Sequence, residues 1–227
     1  EGKSKSIAVT ADTDYQLTPE LVKQHWTDQT KAVLLASPSN PTGTLISTEN
    51  LKAINDFAQE MGGYAIVDEI YHGLVYDQQA QTVLNSSDDV FVINSFSKYF
   101  GMTGWRVGWL VAPQSFIPEL DKLSQNLFLA APTTAQHAAL AAFKPKTLTI
   151  LDARRDEFKQ RRDFLLPALR ELGFDIPLTP QGAFYLYANC SKFTDDSFAF
   201  SRQLLEEAGV AVTPGLDFGN NKPEQHL

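Results

Sequence analysis

Hydrophobic and polar positions along the chain switch repeatedly between a period of two and a period near 3.6. Short apolar or β-branched runs, IAVTAD (7–12), KAVLLAS (31–37), YAIVDEIY (64–71) and VFVINSFS (90–97), predict strands. Between them lie helical patterns. Thr18-Pro19 supplies an N-cap and a first helical residue for PELVKQHW, and Ser47 opens STENLKAINDFAQEMGG. In the second of these, Leu51, Ile54 and Phe57 recur at helical spacing and Gly62-Gly63 ends the pattern. Such alternation predicts a layered α/β fold, a sheet with helices on its faces.

The connection from Ser97 to Trp105 departs from this rhythm, being too short for a parallel crossover of about a dozen residues. RVGWLVAP is therefore expected to return antiparallel beside VFVINSFS, bringing Lys98 and Arg106 to the same end of the sheet, where open α/β sheets form ligand crevices. After Pro113 helical patterns dominate: SFIPELDKLSQNLFLA, PTTAQHAALAAF, then LDARRDEFKQRRDFLLPALRELG with Phe158, Leu165, Leu169 and Leu172 on one stripe and a kink expected at Pro167. GAFYLYANC (182–190) predicts a strand, SFAFSRQLLEEAG a helix closed by Gly209, and VAVTPG a last strand. The boundary between a larger unit (1–150) and a smaller one (151–227) is expected within the long helix.

Composition narrows the function classes. With 43% hydrophobic and 20% charged residues the 227-residue chain is globular in type. A net charge of −8 with no run of Lys and Arg argues against a nucleic-acid surface. No stretch of about 18 apolar residues suggests a membrane span. Cys190, the single cysteine, has no disulfide partner, which points to a reducing compartment, the cytoplasm. His25, His72, His137 and His226 show no paired metal spacing.

Four clusters sit at loops or strand ends: SPSNPTG (37–43), VDEIY (67–71), SFSK (95–98) and GWRVG (104–108). Each alone also reads blandly, as a turn, a salt-bridge partner, a solvated strand end or a surface charge. Together they are harder to dismiss. Asp68 and Lys98 both end apolar strands, where an unpaired charge is costly. A desolvated lysine amine is a nucleophile for carbonyl carbon, a carboxylate suits a cationic ring nitrogen, and Arg106 with Ser95 suits a phosphate dianion. An aldehyde, a pyridinium and a phosphate describe pyridoxal 5'-phosphate, whose protein sites are known to pair a Schiff-base lysine with an acidic partner of the ring nitrogen. Tyr76, Tyr99 and Trp105 read as packing residues, His72 as structural and Cys190 as inert.

In order and spacing, SPSNPTG, VDEIY and SFSKYFGMTGWRVGWLVAP resemble the signature segments of class I/II aminotransferases of pyridoxal-phosphate fold type I, the aspartate aminotransferase superfamily. GAFYLYA and AGVAVTPGLDFG resemble that family's small domain. The resemblance implies a large domain with a mostly parallel sheet, one antiparallel strand and helices on both faces, plus part of a small α+β domain. It implies Lys98 as the Schiff-base lysine and proton shuttle, Asp68 as the partner of the pyridine nitrogen, and Tyr71 with Asn40 on the cofactor's 3′ oxygen. Ser95, Arg106 and Ser97 are implied as phosphate ligands. The implied reaction is transamination between an amino acid and a 2-oxo acid, in a homodimer whose subunits complete each other's pockets. A lyase of the same fold, or an effector-binding domain of a transcription regulator, are the alternatives. Three parts of the family pattern fall outside these residues: a glycine-containing phosphate loop and a ring-stacking aromatic before IAVTAD, and a carboxylate-binding arginine after DFGNNKPEQHL. The chain is thus expected to be a fragment of a longer protein.

Overall fold

A computed structural model describes residues 2–227. Four strands, β1 (Ala32–Ala36), β2 (Tyr64–Asp68), β3 (Phe91–Ser95) and β4 (Gly108–Val111), form one sheet in the order β1-β2-β3-β4. The first three are parallel, and β4 runs antiparallel to β3 with Ser95 opposite Gly108, as the short connection demands. Val33, Leu35, Ala65, Val67 and Val92 point to one face and pack with Val22 of α1 (Pro19–His25) and Leu51, Ile54 and Ala58 of α2 (Thr48–Glu60). Ile54 is fully buried, so truncating it to alanine should cost about 2–5 kcal/mol. On the opposite face the register sets Leu34, Ile66, Ile93 and Leu110, of which Leu34 is 67% exposed.

Helix starts follow local chemistry. The Thr18 hydroxyl accepts the Leu21 N–H at 3.3 Å, with Pro19 in the first turn, and the Ser47 hydroxyl accepts that of Asn50 at 3.2 Å. Four more helices follow: α3 (Ile117–Leu127), α4 (Thr133–Ala142), α5 (Pro145–Leu172) and α6 (Ser197–Ala208). α5 continues through Pro167 as one helix and ends at Gly173, whose φ of 106° places it in the region that suits glycine. Its inward stripe differs from the predicted one: Leu151 and Leu166 are buried, whereas Leu165 and Leu172 are exposed. Leu166 and Leu169 pack with Phe174, Ile176, Leu186 and Ala188 in a core separate from that of the sheet.

Three predicted strands do not form. Residues 7–10 have no regular structure, and Ala11–Thr13 is a single turn of 3-10 helix. Residues 182–190 make only isolated bridges, Gly182 to Val75 and Asn189 to Asp175 and His226, and 210–214 are irregular. Period-two patterning is a property of the segment itself, whereas a strand also needs a neighbouring strand to complete its ladder. Among the described residues no helix is long and apolar enough to cross a membrane.

Candidate active site

The carboxyl ends of β2 and β3 lie side by side because the strands are parallel, and the antiparallel return to β4 adds Arg106 nearby. Asp68 closes β2; its Oδ1 accepts the Ile70 N–H at 3.0 Å, and its carbonyl accepts the Ser37 N–H at 3.1 Å. The turn that follows buries Tyr71. Ser95 closes β3, and its hydroxyl accepts the Ser97 N–H at 3.0 Å and lies 2.9 Å from the Ser97 hydroxyl. Lys98 is half-buried, with Nζ 5.7 Å from the centre of the Tyr71 ring and 5.9 Å from that of Phe184. At those distances both ring faces attract an ammonium.

Arg106 is exposed and takes a left-handed conformation, φ 53° and ψ 54°. For a non-glycine residue this costs roughly 1–2 kcal/mol, and such strain persists where the surroundings fix it. Here Arg106 Nη1 donates to the Thr103 carbonyl at 3.1 Å, and the Thr103 hydroxyl donates to the Ser97 carbonyl at 2.7 Å. Gly108 completes the approach, since a Cβ there would lie 2.7 Å from the Asn94 carbonyl oxygen. The loop thus ties Arg106 to the serines.

Asn40 sits on the 37–43 loop, which includes two cis peptides, Ser37-Pro38 and Asn40-Pro41. The loop docks through Gly43, whose carbonyl accepts the N–H groups of Gln181 and Gly182, both at 2.9 Å. Asn40 is exposed and lines a cleft of about 480 Å3 with Tyr15, Tyr187, Phe218 and His226, a lining that does not include Lys98. Asp68, Tyr71, Ser95, Ser97, Lys98 and Arg106 therefore gather at one end of the sheet, with Asn40 on an adjoining loop.

Phe184 and Tyr185 were not singled out in the sequence, yet they stand against Lys98 and Tyr71. The Tyr71 and Tyr185 hydroxyls are 2.7 Å apart, and both Phe184 and Tyr185 meet the Tyr71 ring edge-on. Burial, then the hydrogen bond with Tyr185, pushes the Tyr71 phenol well above its ordinary pKa. The run of aromatics in GAFYLYA was the available signal. Glu69 is buried; its Oε1 accepts the Val83 N–H at 2.9 Å and its Oε2 lies 3.4 Å from His72 Nδ1. Burial lowers the His72 pKa. Tyr99 packs its ring on Gly73 and donates to Asp152 at 2.8 Å, and burial with that bond pushes its phenol up to about 12. Tyr76 is a packing residue too, bonded to the Ala183 carbonyl. Trp105, expected to pack, is 46% exposed because the turn before Arg106 turns it out of the core. Cys190 is buried and its thiol is pushed up by burial, in keeping with an inert residue.

A lysine amine flanked by aromatic rings, a strand-end carboxylate, a phenol, two hydroxyls and a guanidinium share the end of a mixed sheet. That donor set fits a ligand carrying an aldehyde, a ring nitrogen and a phosphate. A family model for aminotransferase class I and II matches residues 1–225, and the chain belongs to that family, which is pyridoxal-phosphate dependent. The chain is 43% identical over 190 residues to a valine–pyruvate aminotransferase of Mycobacterium tuberculosis, covering 83% of this chain and 49% of that protein. A probable aspartate/prephenate aminotransferase of Aquifex aeolicus is 36% identical over 96% of this chain and 58% of its own length. Among solved structures, an aminotransferase from Mycobacterium tuberculosis superposes with a TM-score of 0.92 at 39% identity, over 97% of this chain and 57% of that one. The chain spans about half the length of the curated relatives it matches.

Proposed function

We propose that the protein containing this chain transfers an amino group between an amino acid and a 2-oxo acid, using pyridoxal 5'-phosphate. The observation that carries this reading is the convergence of Lys98, Asp68, Tyr71, Ser95, Ser97 and Arg106 at one sheet end. When bound, the cofactor supplies the aldehyde that takes up the amino group and an electron-withdrawing ring. In the proposed assignment Lys98 would hold the cofactor through its aldehyde, and its amine would serve to move the proton at the substrate Cα. The Asp68 carboxylate holds a proton on the ring nitrogen. Tyr71 donates a hydrogen bond to the 3′ oxygen, with Asn40 as its partner in that task. Ser95, Ser97 and Arg106 hold the phosphate, the guanidinium providing the charge and the hydroxyls the directional bonds.

We further propose a division near residue 150, supported by separate cores built from residues before and after that point. A homodimer is the proposed assembly. Its support is the exposed apolar side chains at the end of α3, in the segment after it and on α4, where Leu127, Phe128, Leu129 and Leu140 are all more than half exposed. The cytoplasm is the proposed location, from the single buried thiol.

The full-length protein, incubated with a panel of amino acids and either 2-oxoglutarate or pyruvate, tests the activity. Amino transfer to the acceptor that is lost in Lys98→Ala is the expected result. Release of ammonia and pyruvate without any acceptor would instead assign a lyase and overturn the reading.

A further inference from the structure

The Tyr71–Tyr185 contact is built rather than incidental. Tyr185 lies 114 positions further along the chain and reaches Tyr71 only because residues 181–183 are anchored on both sides. The Tyr76 N–H donates to the Gln181 carbonyl at 2.8 Å and the Ala183 N–H to the Leu74 carbonyl at 2.9 Å. Gly182 is confined as well, a Cβ there lying 2.8 Å from Pro38 Cγ. Between them Ala183 is fully buried and left-handed, φ 59°, a conformation an alanine holds only when its surroundings impose it. This strained residue immediately precedes Phe184 and Tyr185, the two rings that stand against Tyr71.

We infer that Tyr185 is a positioning residue for Tyr71, donating its hydroxyl proton to the Tyr71 oxygen and thereby strengthening Tyr71 as a donor to the cofactor's 3′ oxygen. The inference rests on the proposed assignment of Tyr71. Proton counting fixes the direction: each phenol has one O–H, so a Tyr71 that donates to a ligand must accept from Tyr185. Hydrogen bonds in such a chain polarise one another, and Tyr71 becomes the better donor. The titratable side chains acting on Tyr71 are Tyr185, Asp68 and Lys98. A stronger donor at the 3′ oxygen stabilises its anionic form and weakens its hold on the neighbouring proton of the bound chromophore. Removing the Tyr185 hydroxyl should therefore let that proton persist to higher pH.

The test is the visible absorption of the full-length protein loaded with pyridoxal 5'-phosphate, followed against pH in wild type, Tyr185→Phe, Tyr71→Phe and the double variant. Phenylalanine keeps the ring that packs on Tyr71, so packing is held constant. Tyr185→Phe should raise the midpoint by about half a unit to one unit, in proportion to one ordinary hydrogen bond. Tyr71→Phe should raise it further, and the double variant should match Tyr71→Phe, since Tyr185 acts through Tyr71. An unmoved Tyr185→Phe midpoint beside a shifted Tyr71→Phe, or a Tyr185→Phe shift that survives in the Tyr71→Phe background, overturns this inference alone. A Tyr71→Phe midpoint equal to that of wild type overturns the assignment of Tyr71, and the inference with it.

Discussion

Gly43 joins the loop of Asn40 to the segment of Phe184 and Tyr185, and Gly43→Ala should disturb both. Its φ is 65°, where an alanine costs roughly 1–2 kcal/mol relative to right-handed backbone. The new Cβ would also lie 2.5 Å from the Gly182 carbonyl oxygen and 2.7 Å from Pro180 Cβ. Both neighbours are rigid, and the Gly43 carbonyl already holds the Gln181 and Gly182 N–H groups, so relief requires the two segments to part. Overpacking of this kind costs about 1–3 kcal/mol. The combined loss should fall in the range of about 2–5 kcal/mol. Chemical denaturation of the full-length protein measures it, and cofactor affinity measured in parallel should fall with the loosened 37–43 loop. A Gly43→Ala protein within about 0.5 kcal/mol of wild type, the scatter of an ordinary surface change, would refute the reasoning.

Other perturbations test other parts of the account. Arg106→Ala should raise the dissociation constant for pyridoxal phosphate roughly 10–100-fold, the worth of one charge-assisted hydrogen bond, and an unchanged titration would remove Arg106 from the phosphate site. Asn55 in α2 is 1% exposed and, among the described residues, neither of its side-chain polar atoms has a hydrogen-bond partner, so Asn55→Leu should stabilise the protein by about 1–2 kcal/mol; a lower denaturation midpoint would contradict this. Burial holds the His72 pKa below its ordinary 6.5, against the opposing pull of the Glu69 carboxylate. The unfolded chain therefore binds that proton more readily, and stability should fall as pH drops below about 6.5, with the slope reduced in His72→Asn. Equal slopes in both proteins would show that His72 does not carry the effect.

What was legible in the sequence was mostly local. Thr18-Pro19 and Ser47 mark helix starts because their chemistry acts within one turn. The antiparallel return to β4 followed from the shortness of a connection, and that one deduction brought Arg106 to the serines and Lys98. Distance along the chain hid the rest. Alternating apolar residues in 7–12, 182–190 and 210–215 satisfy a strand's pattern, but the absence of a ladder partner is decided by tertiary placement. Tyr185 was hidden for the same reason, since nothing near it in sequence announces Tyr71 or the left-handed Ala183 that aims it. Leu166 took the buried place expected of Leu165 because the long helix packs against residues 174–188, whose path the helix's own pattern does not contain.

The central claim is that Lys98 is the amine that takes the cofactor's aldehyde. Adding pyridoxal phosphate, reducing with borohydride and mapping the labelled peptides by mass, with Lys98→Ala alongside, tests it most directly. The account predicts one modified peptide, carrying Lys98 and absent from the variant. Labelling spread over surface lysines and unchanged in Lys98→Ala would contradict it.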